Sequence, residues 1–132
     1  MTRKKFDIKD FENIGKNFSF EEAIQAYENL KKYFTRTTCN KLEIIFEGKF
    51  NDYRTGIEDI VLKCLEEMPC VFTASKMDEE RFIIKIIFKY PISLEKVANI
   101  CKELRQSLKE YESNSIDFNK KQKYVTYTFV KK

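Results

Sequence analysis

Four cysteines and no histidine limit the chemistry open to this chain of 132 residues. Cys39, Cys64, Cys70 and Cys101 follow one another at intervals of 25, 6 and 31, with no Cys-x-x-Cys pair. A zinc site needs ligands clustered at shorter spacing, most often completed by imidazole. Cys64 and Cys101 fall on the apolar stripes of predicted helices, where a thiol packs as a small hydrophobe. Four reduced, structural cysteines are therefore expected. Without histidine the commonest general base near neutral pH is missing, as is the commonest activator of a Ser or Cys nucleophile. The acidic pairs and triples, Glu66-Glu67 and Asp78-Glu79-Glu80, fall at a helix end and a turn, where carboxylates are ordinarily solvated. Tyr53-Arg54 and the Tyr124/Tyr127 pair could line a small-molecule pocket, but aromatic residues at such periods usually belong to a core. Three glycines supply neither a P-loop nor a dinucleotide fingerprint. No catalytic, metal-binding or cofactor-binding residue is assigned, and a non-catalytic protein is expected.

Charge supplies the other candidate chemistry. The net charge of +4 is unevenly placed: residues 1–10 carry +2, residues 117–132 carry +4, and the middle is −2. Arg3, Lys4 and Lys5 at one end and Lys120, Lys121 and Lys123 near the other are candidate phosphate contacts, with Lys131 and Lys132 beside them. Lysine-rich ends are also common as plain solvated termini. No run approaches the roughly 20 apolar residues of a membrane span, and the first residues lack the apolar core of a signal peptide. A cytoplasmic protein with no membrane partner is the expectation.

The elements that must position these groups read clearly in the periodicity. Ser19-Phe-Glu-Glu22 forms a capping box, and Phe20, Ala23, Ile24, Tyr27, Leu30 and Phe34 then recur at helical spacing as far as Thr35–Thr38. Leu42–Glu47 alternates as a strand. A second helix carries Ile57, Ile60, Val61, Cys64, Leu65 and Met68 on one face and stops at Pro69. Cys70–Ser75 and Arg81–Tyr90 read as strands joined by a turn at Lys76–Glu79, with Pro91 ending the second and Ser93 capping a third helix. That helix places Leu94, Val97, Ile100, Cys101, Leu104, Leu108 and Tyr111 on one stripe, and Ser113-Asn-Ser115 is expected to end it. Residues 116–130 form one long irregular strand or a hairpin turning at Asn119–Gln122.

From residue 41 onward this order is β-α-β-β-α-β. It resembles the split βαβ, or ferredoxin-like, arrangement, which implies an α+β domain with an antiparallel sheet in the order 4-1-3-2. The whole chain is expected to form one domain: residues 1–38 supply an N-terminal extension and helix, and 41–130 the α+β sandwich.

In that sheet 42–50 and 81–90 would be central neighbours, and their apolar faces must coincide. One register sets Ile44 opposite Phe88 and Phe46 opposite Ile86. On the second face it sets Glu43 against Lys89, Ile45 against Ile87 and Glu47 against Lys85, a charge ladder that accounts for both lysines without an anionic ligand. The RNA-recognition fold shares the element order, but no aromatic stands on the open face of these two strands to stack a base. What remains is a surplus of apolar surface. Ile45, Ile83 and Ile87 on the second sheet face, Tyr27 on the first helix and Tyr127 on the last strand are candidate protein-interface residues. The expected function is that of a protein-binding module (accessory subunit, inhibitor, regulatory protein or adaptor), with a partner protein or a second copy bound by the apolar surface or a strand edge. Nucleic-acid binding through the basic ends is the alternative.

Overall fold

The structure is a computed structural model and describes residues 19, 21–22, 25, 28, 31–48, 54–65 and 68–132. The described elements are α1 (Lys31–Arg36), β1 (Thr38–Glu47), α2 (Arg54–Leu65), β2 (Cys70–Lys76), β3 (Arg81–Ser93), α3 (Leu94–Ser107), β4 (Tyr111–Asn119) and β5 (Tyr124–Lys131). The capping box forms: Ser19 Oγ accepts from the Glu22 amide at 3.1 Å and Glu22 Oε1 from the Ser19 amide at 3.2 Å. Ser93 Oγ likewise accepts from the Lys96 amide at 3.2 Å and opens α3, which buries Leu94, Val97, Ile100, Cys101 and Leu104. Helical spacing thus puts one face of α3 onto the sheet and leaves its lysines and arginine outside.

The expected α+β architecture is present, but the sheet is mixed rather than antiparallel, and its order is β2-β3-β1-β5-β4 instead of 4-1-3-2. The reason lies in the tail, which folds as the hairpin β4–β5. The Gln122 amide donates to Asn119 Oδ1 at 3.0 Å, and Lys123 takes a φ of 55° to complete the turn. The more apolar arm, with Val125, Tyr127 and Phe129, takes the inner seat and runs parallel to β1. The polar arm, with Glu112, Ser113, Asn114, Ser115 and Asp117, is left at the edge, as the expense of burying such groups dictates. Ser113–Ser115, expected as a helix stop, is a bulge in β4. The helix ends earlier, at Ser107, and Tyr111 opens β4 with its ring edge-on to Phe46 at 5.4 Å.

The β1–β3 register also differs from expectation, by four residues. Glu43 faces Lys85, Ile45 faces Ile83, Phe46 faces Phe82 and Glu47 faces Arg81. This register stacks the Phe46 and Phe82 rings at 4.8 Å. Such an aromatic pair contributes about 0.5–1.5 kcal/mol, against about 0.2–1 kcal/mol for a cross-strand charge pair. The charge pattern is also still opposed, because Arg81 takes the place that the sequence reading gave to Lys85. The ladder itself does not form: Glu43 is paired with Lys41 on its own strand at 3.1 Å. Nor does Pro91 end β3, which continues to Ser93 opposite Thr38. It sits where the pairing shifts between Cys39 and Lys41, a place at which a missing amide donor is tolerated.

The inward residues of β1, β3 and β5, with Leu42, Ile44, Phe46, Ile84, Ile86, Tyr127 and Phe129 all at 0% exposure, join the buried faces of the helices in one core cluster. Among the described residues no helix is long and apolar enough to cross a membrane.

Candidate functional site

Strand alternation places the residues with chemistry left to do on the second face of the sheet, away from the core cluster. Reading across the hydrogen-bonded partners, one row runs Val71, Ile87, Lys41, Tyr124 and Asn119 from β2 to β4. The next runs Thr73, Lys85, Glu43, Thr126 and Asp117, and a third Ser75, Ile83, Ile45, Thr128 and Ser115. Exposure along these rows is lopsided. Val71 is 59% exposed and its cross-strand partner Ile87 is 47% exposed, whereas Ile83 is 6% exposed and Ile45 is half-buried. Ile83 is buried although it stands outside the core cluster. The apolar surface on offer is therefore the β2 corner of this face. Met77, just past the end of β2 and 44% exposed, continues it.

The expected interface residues are thus separated. Ile87 lies in the exposed corner, Ile83 and Ile45 lie behind it, and Tyr27 falls outside the described residues. Tyr127 is at 0% exposure with its hydroxyl hydrogen-bonded to Ser113, so it is a core residue and offers no surface. Val71 and Met77 were missed by the sequence reading. The signal was the period-two set Val71, Thr73, Ser75, Met77, which opposes the inward set Phe72 and Ala74.

Of the candidate phosphate contacts, Lys120, Lys121 and Lys123 stand exposed on the β4–β5 turn, which the Asn40 amide ties to β1 through the Lys123 carbonyl at 2.7 Å. Beside them the Lys41 ammonium lies 4.4 Å from the Tyr124 ring centre, so that this ring already carries a cation. Arg3, Lys4 and Lys5 fall outside the described residues.

The cysteines are placed as packing. Cys39, Cys64 and Cys101 are buried. Burial pushes the Cys39 thiol up to about 11, and its Sγ donates to the Lys41 carbonyl at 3.1 Å. Burial raises Cys101 and Cys70 as well, so none of these three is a thiolate at neutral pH. Among the described residues no cluster of three or more Cys, Asp or Glu is arranged to hold a metal. The acidic turn is held by its own contacts: Asp78 accepts from Arg81 Nε at 2.8 Å and from the Glu80 amide at 2.9 Å. The Arg81 hydrogen bond, followed by that amide, holds the Asp78 carboxyl below the usual carboxylate range. An open hollow of about 530 Å³ beside this turn is lined by Glu47, Gly48 and residues 78–81. A groove of about 670 Å³ between α2 and α3 has Leu65, Met68 and Ile100 in its floor and Lys96, Lys102 and Glu103 on its rim. Cys64 also lines this groove.

Asp117, at the far edge of the same face, is in an uncomfortable position. One carboxylate oxygen is buried without a hydrogen-bond partner, and burial raises its pKa. The folded chain therefore keeps this proton to higher pH than the unfolded chain does. The contribution of Asp117 to stability is expected to be greatest below the ordinary aspartate range and to fall as pH rises through its raised pKa. Asp117→Asn should flatten urea-unfolding midpoints across that window and be the more stable protein at neutral pH. A less stable Asn variant at neutral pH would show that the charge is satisfied.

Comparison with known proteins gave no match to a family model, a curated protein or a solved structure. The class that the fold defines is an α+β protein with a five-stranded mixed sheet and its helices gathered in one core with the inward face.

Proposed function

We propose that the chain is a non-catalytic protein-binding module whose contact surface is the β2 edge and the adjoining corner of the second sheet face. The observation that carries this reading is the pair Val71 and Ile87, cross-strand neighbours exposed at 59% and 47%, one on the edge strand and one on the strand beside it. Exposed apolar side chains scattered singly are ordinary, but adjacent ones beside an unpaired strand edge offer a partner both area and backbone hydrogen bonds. Three of the five large apolar side chains that stand exposed among the described residues, Val71, Met77 and Ile87, belong to this one corner.

The test is capture from a native lysate with the wild-type chain and with Val71→Asp and Ile87→Asp as baits. A protein held by wild type and lost from both variants, with far-UV circular dichroism unchanged, is the expected outcome. Equal capture by all three removes the surface from consideration. The exposed triplet Lys120, Lys121 and Lys123 favours a second reading, phosphate contact with a nucleic acid. Gel shifts that weaken steeply with salt and vanish when all three lysines become glutamate would transfer the function to that turn.

A further inference from the structure

We infer that the partner at this corner is a second copy of the chain, whose β2 pairs antiparallel with the first β2 about a two-fold axis at Ala74. The inference rests on the protein-binding reading and names its partner. Two five-stranded sheets then become one continuous sheet.

The backbone sets the first constraint. The Met77 amide donates to the Arg81 carbonyl at 2.9 Å, and the Lys89 amide donates to the Pro69 carbonyl at 2.9 Å. These two bonds sit at the ends of an unbroken β2–β3 register. Odd-numbered residues of β2 are therefore bonded to β3, and Cys70, Phe72, Ala74 and Lys76 turn their amides and carbonyls to the outer edge, which no strand among the described residues pairs with. A second β2 must match outward groups with outward groups, so even residues oppose even ones and the sheet faces stay aligned.

Side chains then choose among the allowed registers. Centring on Ala74 sets Val71 opposite Met77 of the second copy, and Thr73 opposite its Ser75. These are non-hydrogen-bonded pairs, the closer kind in an antiparallel ladder. Ile87 stands beside Val71, so a cluster of Ile87, Val71 and the other copy's Met77 forms twice and covers all three exposed apolar groups of the corner. The same register brings the second copy's β2–β3 turn, which holds Glu79, to the end of the strand pair where Pro69 and Lys89 lie. Among the described residues neither Lys85 nor Lys89 has a carboxylate within ion-pair distance, and Glu79 is held only by an exposed contact to Lys76 at 3.4 Å. Centring on Thr73 instead would oppose Val71 with Ser75 and Met77 with Pro69, leaving the apolar groups unmatched. The other sheet edge, β4, is guarded by its bulge and by Glu112 and Asp117; β2 has only Lys76.

The experiment uses the full chain with Cys70→Ser, to remove the one cysteine that is not buried. Separate Thr73→Cys and Ser75→Cys proteins are mixed and oxidised; facing residues of a closely spaced pair lie within disulfide reach. A disulfide joining one chain of each kind is expected, with neither protein linking to itself, and light scattering should give twice the 15.9 kDa chain mass for the wild type. Val71→Asp should weaken self-association by at least about tenfold with the fold intact. Self-linking of Thr73→Cys would overturn the Ala74 register, and a monomeric wild type would overturn the dimer. A monomer that still captures a protein through Val71 overturns the dimer alone and leaves the protein-binding reading in place. A monomer that captures nothing through this edge overturns both.

Discussion

Phe46→Ala is expected to lower stability by about 3–5 kcal/mol, a large share of the roughly 5–15 kcal/mol that holds an ordinary domain together. Phe46 is at 0% exposure in the middle of β1, and its ring meets one aromatic from each of three other strands. It stacks on Phe82 of β3 at 4.8 Å and on Phe129 of β5 at 5.5 Å, and Tyr111 of β4 meets it edge-on at 5.4 Å. Removing the ring opens a cavity that no single neighbour can fill, because each is fixed by its own strand. Urea unfolding and a thermal melt should report the loss, the latter as a drop of roughly 10–20 °C. A drop of only a degree or two would mean that these rings do not converge. Phe46→Leu, which keeps most of the volume, should recover more than half of the difference.

The second large effect is expected at Gly48, where β1 ends. Its φ of +141° lies in a region that residues with a Cβ rarely enter. A Cβ built there would stand 2.7 Å from Cβ of Lys131 on β5, closer than two such carbons approach. The amide of Gly48 is also committed, donating to the Glu80 carbonyl at 2.8 Å. Gly48→Ala must either strain this backbone, at about 1–3 kcal/mol, or push β5 away from β1. Gly56 gives the matching control. It lies in α2 with nothing within 4 Å of an added Cβ, so Gly56→Ala should stabilise by about 0.5–1 kcal/mol. Opposite signs for the two glycines, measured by the same urea titration, are the expected result. A loss at both positions would place the Gly56 helix in closer contact than the structure gives it.

Local signals carried well from sequence to structure, and long-range choices carried less well. The Ser19–Glu22 capping box, the Ser93 cap and the apolar stripe of α3 were legible because each depends on residues within a turn or two of one another. The paired strands β2 and β3 were legible for the same reason. The sheet order was not, because it depended on whether residues 116–130 remain one strand or double back. That in turn was decided by the burial of Val125, Tyr127 and Phe129 against the solvation of Glu112 and Asp117. The β1–β3 register was missed because two registers, four residues apart, both keep the apolar faces together and both oppose charges. Aromatic stacking at Phe46, a contact between strands distant in sequence, decides between them. The candidate surface was legible only at Ile87. Its companions Val71 and Met77 share a period-two set with Thr73 and Ser75, but their exposure follows from β2 being an edge, which is a matter of sheet order.

The central claim is that the even-numbered residues of β2 present a backbone edge that a second copy of the chain occupies. Amide hydrogen exchange, followed residue by residue by NMR at increasing protein concentration, tests it most directly. Exchange at Phe72, Ala74 and Lys76 should slow as the protein associates, while Val71, Thr73 and Ser75, already bonded to β3, should change little. Unchanged exchange at all three even positions, across a concentration range in which light scattering records the doubled mass, would place the interface elsewhere and contradict the claim.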